Sequence, residues 1–121
     1  QLFKGGYERN LEAARDLIGP RRGDGKVGIH GCSVGLNNTL ALLDLTGDAG
    51  IHLFDGDERK VGKYLPTCPH PIMAAGDPVY AAMDLVVIAA MTYFAEIKEA
   101  LTGDHGIPPE RIHPLIPSAV G

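Results

Sequence analysis

The sequence predicts an α/β fold, a parallel sheet of about five strands covered by helices, and three observations point to it. Short apolar segments alternate with segments of helical spacing along the 121 residues. This alternation favours parallel pairing, because parallel strands need crossover helices between them. The segment Leu85–Ala90 is apolar at every position, which is typical of a strand buried on both faces. Glycine supplies 16 of the 121 residues, an excess that favours tight turns and close backbone approaches.

The first elements are a helix, a strand and a crossover helix. Apolar residues recur at three- and four-residue spacing over Tyr7–Ile18, which predicts a helix. Pro20 ends it, because proline cannot continue the hydrogen-bond ladder. Lys26–His30 is predicted as the first strand. Gly35–Thr46 has helical spacing, and Gly47 follows it at the C-cap position.

The later elements complete the alternation. They are a strand at Ile51–Asp55, a brief strand at Pro71–Ala74, a helical turn from Asp77-Pro78, the strand Leu85–Ala90, a helix at Thr92–Leu101 that ends near Gly103, and a strand at Arg111–Leu115. We therefore predict one domain over residues 1–121, a three-layer Rossmann-like sandwich with strand order 3-2-1-4-5. Its N-terminal helix spans about residues 7–18, and its α/β core about residues 26–116.

Composition argues against several classes of protein. Hydrophobic residues (45%) and charged residues (21%) occur at the shares of an ordinary globular domain. No apolar run approaches the ~18–20 residues of a membrane span, and no signal-peptide pattern opens the chain. The net charge of −4, without a basic stripe, argues against a nucleic-acid partner. Two cysteines are too few for a disulfide scaffold, so we expect a cytoplasmic protein.

The turn after the first strand is the predicted anion-binding position. Glycine at Gly31 and Gly35 lets the backbone approach a ligand, and the following helix offers free N–H groups and a positive dipole end. We predict that these two glycines bind a ligand together with Cys32 and Ser33. The dinucleotide fingerprint Gly-x-Gly-x-x-Gly is absent, which disfavours NAD. The alternative is a structural turn in which Ser33 caps the helix.

Charged residues follow the second strand. Asp55 ends this strand, where an acidic side chain binds ribose hydroxyls in many such folds, and Asp57 lies in the same loop. The alternative is a solvated acidic turn. Arg59, Lys60 and Lys63 are predicted to clamp a diphosphate, unless they form a merely solvated basic loop.

Three further residues after the fourth strand complete the predicted site. We expect the ligand to lie between the turn 31–35, the loop 55–64 and the segment Met91-Thr92-Tyr93. Tyr64, in the loop after the second strand, is predicted to stack on a base or to hydrogen-bond a phosphate. Glu96 follows at the rim, where an acidic residue in the first turn of a helix is also favourable for the dipole alone.

Histidines and cysteines suggest a metal site, but their spacing does not support one. His30 and Cys32 form one close pair, and Cys68 and His70 form another. Structural zinc sites usually contain Cys-x₂₋₄-Cys knuckles, which are missing, so no metal is predicted. A Cys/His nucleophilic pair also lacks an orienting third residue, and no catalytic residue is predicted.

Two stretches carry a family resemblance. Residues 54–66 read Phe-Asp-Gly-Asp-Glu-Arg-Lys-Val-Gly-Lys-Tyr-Leu-Pro, and Pro71-Ile72 follows. Residues 87–97 read Val-Ile-Ala-Ala-Met-Thr-Tyr-Phe-Ala-Glu-Ile. The first stretch resembles a loop in the C-terminal domain of sugar C-methyltransferases, with an acidic strand end, Lys-x-Gly-x-Tyr-x-Pro and Pro-Ile. The second is similar to the strand-to-helix segment of that domain, and the resemblance covers about residues 26–116.

The resemblance implies a Rossmann-like domain that holds the nucleotide end of a deoxysugar nucleotide. In that family, a separate middle domain binds S-adenosylmethionine and a zinc module precedes it. Neither is encoded in these residues, and the chain begins with Gln1 rather than Met. We therefore expect either a domain excised from a longer chain or a free-standing relative. Its partners would be a nucleotide or nucleotide-sugar and a linked or separate methyltransferase domain, with no cofactor in this domain itself.

Three functional hypotheses follow, and the oligomeric state stays open in all of them. The first is a non-catalytic domain that binds a nucleotide or nucleotide-sugar. The second is a small NAD(P)- or S-adenosylmethionine-dependent enzyme, which the missing fingerprint glycine and the small size disfavour. The third is an interaction or assembly domain that has lost its ligand. Thr67, Met91 and Thr92, which depart from the family pattern, are compatible with this third hypothesis.

Overall fold

The predicted sheet and its strand order are confirmed. The computed structural model describes residues 12, 14–19, 26–32, 36, 41, 50–66 and 68–115. The strands are β1 (Val27–His30), β2 (Ile51–Asp55), β3 (Met73–Ala74), β4 (Leu85–Ile88) and β5 (Ile112–Pro114). They form one parallel sheet in the order β3-β2-β1-β4-β5. The central strand β1 is in register with both neighbours, since Val27 pairs with Ile51 and with Leu85.

Helices accompany the strands as predicted. Among the described residues, an α-helix spans Phe94–His105 and is named the rim helix below, and short 3₁₀ helices span Pro78–Ala82, Met91–Tyr93 and Pro109–Arg111. Glu12 and residues 14–18 are helical, as are Leu36 and Ala41, which belong to the predicted crossover helix. The other positions of these two predicted helices lie outside the described residues. No helix among the described residues is long and apolar enough to cross a membrane.

Hydrophobic clusters cover both faces of the sheet. On the first face, Val27 and Ile29 of β1 pack with Leu53 and Val87 and with helical residues that include Ile18. The second face bears buried side chains of the sheet, the first 3₁₀ helix, the rim helix and its following loop, namely Phe54, Tyr80, Met83, Val86, Ile88, Leu101, Ile107 and Ile112. Burying each large apolar side chain contributes roughly 1.5–3 kcal/mol. Side chains alternate between the two faces along β1, and since Val27 and Ile29 lie on the first face, His30 lies on the second.

Several boundaries differ from the sequence prediction: β3 begins at Met73 and not at Pro71, the rim helix begins at Phe94 and not at Thr92, and β5 spans Ile112–Pro114 and not Arg111–Leu115. The strand predicted as Leu85–Ala90 ends at Ile88, and the two alanines begin the turn. The rim helix continues past Gly103 to His105. It ends there because Gly106 adopts the left-handed conformation (φ 66°) and its N–H donates to the Leu101 carbonyl, which satisfies an end group of the helix.

Candidate functional site

A cleft opens at the carboxyl edge of the sheet, where the strand order reverses between β1 and β4. Its volume is about 440 Å³. The walls come from the turn after β1, the loop after β2, the turn after β4 and the first turns of the rim helix. Ligands of open α/β sheets bind at this topological switch point. The fold thus brings the three segments predicted from the sequence to one place.

Gly31 lies at the base of the cleft in a conformation that requires glycine. Its φ is 102°, and an added Cβ would stand 2.8 Å from both the Cβ and the backbone nitrogen of Ala90. The turns after β1 and β4 are therefore in direct contact. The strand ends before Gly31, so His30 and Cys32 belong to opposite faces of the sheet. Their side chains therefore do not share one face of the strand.

Asp55 connects two walls of the cleft. Its Oδ2 accepts a hydrogen bond from the Cys32 N–H (2.9 Å), and its Oδ1 accepts one from the Asp57 N–H (2.8 Å). The Lys60 ammonium lies 3.6 Å from Oδ2, and the Asp55 side chain is only 13% exposed. The Asp55 carboxylate thus occupies the position at which a bound anion would accept a hydrogen bond from the Cys32 N–H. Asp55 lines the cleft, and its ribose-binding role stays a prediction.

The predicted basic clamp is only partly assembled at the cleft. Arg59 forms a two-point ion pair with Asp57, with both nitrogen–oxygen distances at 3.0 Å, and its side chain is 88% exposed. Hydrogen bonds from the Arg59 side chain, and then from its backbone N–H, lower the pKa of Asp57 to about 2. Lys60 lines the cleft. Lys63 and Tyr64 are exposed and do not line the cleft.

Of the remaining predicted residues, some line the cleft and others do not. Tyr93 lines the cleft and is 58% exposed, whereas Thr92 is exposed and does not line it. Met91 begins the short 3₁₀ helix at the rim. Ser33 and Gly35 lie outside the described residues. Among the described part of the predicted site, the structure therefore gathers Gly31, Cys32, Asp55, Lys60 and Tyr93 around one cavity.

The structure adds His30, which the sequence did not single out as a ligand-binding residue. Its side chain lines the cleft but is only 6% exposed, and its Nδ1 lies 2.8 Å from the Tyr80 hydroxyl. Burial lowers the pKa of His30, with Asp55 acting in the opposite direction. A single histidine in an apolar strand is typical of a core residue, so the sequence pattern did not indicate the contact with Tyr80. Its position directly before Gly31, at the carboxyl end of β1, is the sequence signal that could have indicated it.

Cys32 does not have the properties of a nucleophile. Its thiol is buried and donates to the Phe54 carbonyl at 3.5 Å. Burial, followed by the charge of Asp55, raises the pKa of Cys32 to about 12. Because the thiolate is the reactive form, these surroundings disfavour nucleophilic reactivity of the Cys32 thiol at neutral pH. The described residues also contain no group of three or more His, Cys, Asp or Glu side chains that could hold a metal ion.

Two partly or fully buried histidines make the fold sensitive to mild acid. Burial lowers the pKa of His30 and of His52, and for His52 the neighbouring His70 and Lys26 add to the effect. Their unfolded forms bind a proton as the pH falls below about 6.5, while the folded forms stay neutral until a lower pH. The stability that these two histidines contribute is therefore present above about pH 6.5, and we expect the free energy of unfolding to fall as the pH drops to 5. Urea unfolding at several pH values measures this.

His52→Phe provides the control for that experiment. The His52 ring stacks on His70 with 4.6 Å between centroids, and phenylalanine keeps an aromatic ring there without a titrating group. The variant should lose stability less steeply between pH 6.5 and 5. Asp57 does not contribute in this window, because a carboxyl whose pKa is about 2 changes stability only below pH 4. An unchanged slope would exclude His52 as a source of the effect.

Comparisons with protein-family models, with curated proteins and with solved structures find no match for this chain. The resemblance to sugar C-methyltransferases therefore depends on the motifs of residues 54–66 and 87–97 alone.

Proposed function

We propose that this chain is a binding domain for a nucleotide or nucleotide-sugar and has no catalytic activity on its own. The observation that carries the proposal is the composition of the switch-point cleft. Its 440 Å³ falls in the range of about 300–1,000 Å³ typical of small-molecule sites. One cavity combines a close backbone turn at Gly31, a cation at Lys60 and an aromatic side chain at Tyr93. These groups suit a phosphate and a ring in a single ligand.

The charges of the cleft indicate how a phosphate would be accommodated. Asp55 already accepts a hydrogen bond from the Cys32 N–H, and this N–H is therefore not free for an anion. Lys60 lies against the same carboxylate at 3.6 Å, and its side chain is 41% exposed. A bound phosphate would therefore compete with Asp55 for the lysine. Lys60 is the cation on which the affinity for a phosphate depends most.

The resemblance to sugar C-methyltransferases supports the same ligand class. In this proposal the domain holds the nucleotide end of a deoxysugar nucleotide, and methyl transfer from S-adenosylmethionine takes place on another domain or protein. Tyr93 is exposed at the rim and offers a face on which a base can stack. Among the described residues of the cleft, the Cys32 thiol is buried and its pKa is raised, which argues against a nucleophilic role for it.

Replacing Lys60 by alanine should weaken nucleotide-sugar binding, whereas replacing Lys63 should not. A charge-assisted hydrogen bond contributes about 1.5–3 kcal/mol, so Lys60→Ala should lower affinity by roughly 10-fold or more. Lys63 is a matched control, because it lies in the same loop, is exposed and does not line the cleft. Isothermal calorimetry with dTDP-glucose, UDP-glucose and GDP-mannose measures the change.

The free nucleosides and added salt complete this experiment. Thymidine, uridine and guanosine carry no phosphate, so their binding should change little in Lys60→Ala. Added salt should reduce the difference between wild type and Lys60→Ala, because this lysine is partly exposed. Equal losses for nucleosides and nucleotide-sugars would show that Lys60 only supports the loop. If the wild type binds none of these compounds, the proposal is wrong and the interaction-domain hypothesis is favoured.

A further inference from the structure

His30 lies between two cavities. Besides the switch-point cleft, a cavity of about 230 Å³ lies between the rim helix and the turn after β3, where Ala75 and Gly76 are found. The two cavities share His30 and Ile97 in their linings. The small part of the His30 imidazole that is not buried therefore faces space that a ligand can occupy. The contacts proposed above for a nucleotide, at Gly31, Lys60 and Tyr93, do not involve this side chain.

Tyr80 determines which ring nitrogen of His30 carries the proton. Its side chain is fully buried, and its hydroxyl lies 2.8 Å from Nδ1. Burial raises the pKa of Tyr80, so the hydroxyl keeps its hydrogen and needs an acceptor. If Nδ1 were the protonated nitrogen, it would donate to the hydroxyl oxygen and leave the hydroxyl hydrogen without this acceptor. The O–H therefore donates to Nδ1, and the ring proton is on Nε2.

Neighbouring rings hold this pair in place. Tyr80 stacks on Phe54 with 3.8 Å between centroids and on His105 with 5.0 Å. The Nε2 of His105 in turn lies 2.7 Å from the Ala75 carbonyl oxygen. The tyrosine hydroxyl therefore has a fixed position, and so does the imidazole to which it donates. A preorganised donor of this kind loses little conformational freedom when a ligand binds.

The second ring nitrogen of His30 is directed to the cavities. Among the described residues, no buried side-chain nitrogen or oxygen lacks a hydrogen-bond partner. Nε2 has no bond to any described residue, so it reaches the cavity surface. Burial keeps the imidazole neutral at physiological pH, so that Nε2–H is a donor without a charge. Such a group recognises an acceptor and disfavours a donor.

We propose that His30 is a specificity-determining residue of the cleft, whose Nε2–H donates a hydrogen bond to an acceptor oxygen of the bound nucleotide, with Tyr80 as its positioning residue. This inference rests on the proposed nucleotide-binding function. Both a phosphate oxygen and a carbonyl oxygen of the base can accept this hydrogen bond. A ligand that places an amino group against Nε2 would be selected against.

Two variants separate the functions of the two ring nitrogens. Asparagine places its oxygen near the position of Nδ1, so His30→Asn keeps an acceptor for Tyr80 but removes the Nε2 donor. Glutamine places its amide nitrogen near Nε2, so His30→Gln keeps the donor. Calorimetry with dTDP-glucose, UDP-glucose and GDP-mannose should show a loss of about 10-fold or more for His30→Asn and a loss of less than about 3-fold for His30→Gln. Circular dichroism checks that both variants fold.

Titration with nucleosides and inorganic diphosphate identifies the oxygen. A loss for nucleosides alone assigns the contact to the base, and a loss for diphosphate alone assigns it to the phosphates. Equal binding by wild type and His30→Asn would overturn the inference and leave the proposed function intact. Equal losses in His30→Asn and His30→Gln would also overturn it, since the donor would then be irrelevant. If the wild type binds no nucleotide, both proposals fail.

The position of the ring proton can be measured without a ligand. The ¹⁵N chemical shifts of the His30 imidazole distinguish a protonated from a bare nitrogen, and we expect Nε2 to be protonated in the wild type. Tyr80→Phe removes the hydroxyl and should yield a mixture of the two tautomers, together with weaker nucleotide-sugar binding. A wild-type imidazole protonated on Nδ1 would overturn the inference, because Nε2 would then be an acceptor.

Discussion

Replacing Gly31 by alanine should destabilise the fold by about 2–5 kcal/mol, one of the two largest losses that we expect from a single substitution. The left-handed conformation at φ 102° costs an L-residue roughly 1–2 kcal/mol. The added methyl group would also stand 2.8 Å from the backbone nitrogen of Ala90, and overpacking of this kind costs about 1–3 kcal/mol. Urea unfolding followed by circular dichroism measures the loss.

Gly62→Ala is the matched control for this prediction. Gly62 also has a positive φ, 87°, but no atom lies within 4 Å of the Cβ that alanine would add. Only the conformational cost remains, so we expect a loss of about 1–2 kcal/mol. If Gly31→Ala were no more destabilising than Gly62→Ala, the contact between the turns after β1 and β4 would have no energetic importance.

Replacing Asp55 by alanine should cost about 2–4 kcal/mol, because three groups lose their partner at once. The Cys32 and Asp57 N–H groups donate to this carboxylate at 2.9 and 2.8 Å, and Lys60 lies 3.6 Å from it. A partly buried N–H left without an acceptor costs about 1–3 kcal/mol. The loss should appear as a lower urea midpoint with an unchanged m-value.

Asp57→Ala tests whether the position of the carboxylate matters. Asp57 lies two residues further along the loop, and its ion pair with Arg59 is on the surface. Exposed ion pairs contribute roughly 0–1 kcal/mol, so this variant should lose much less stability than Asp55→Ala. Similar losses for both variants would mean that Asp55 does not join the two loops.

The strand order could be predicted from the sequence because the apolar segments are short and well separated. β1 and β2 coincide with the predicted segments to within one residue, since a glycine or an acidic turn follows each of them. β3 is shorter than predicted because Ile72 uses its N–H in the loop, where it donates to the Lys63 carbonyl. Such a contact across nine residues leaves no local pattern. The end of the rim helix has a local signal, but two glycines compete for it, and the left-handed one is Gly106 and not Gly103.

The candidate site was predictable to the extent that it follows from strand ends. Gly31 directly follows β1 and Asp55 ends the neighbouring parallel strand β2, so their meeting at one edge is a consequence of the topology. The pairing of Arg59 with Asp57 was not predictable, because a basic loop can direct its cations either to a ligand or to its own acidic residues. The partner of His30 lies 50 residues away, at Tyr80, and only the folded chain brings them together.

The central position of β1 also has a consequence for how the chain folds. Val27 pairs with Ile51 on one side and with Leu85 on the other, and both ladders are parallel. Neither can start from a tight hairpin, so each requires the closure of a long crossover segment before any strand contact stabilises it. We therefore expect slow folding for a domain of this size, as is typical where distant contacts dominate. Deleting β1 would divide the sheet into the pairs β3-β2 and β4-β5, and two-stranded sheets of this length are not stable alone.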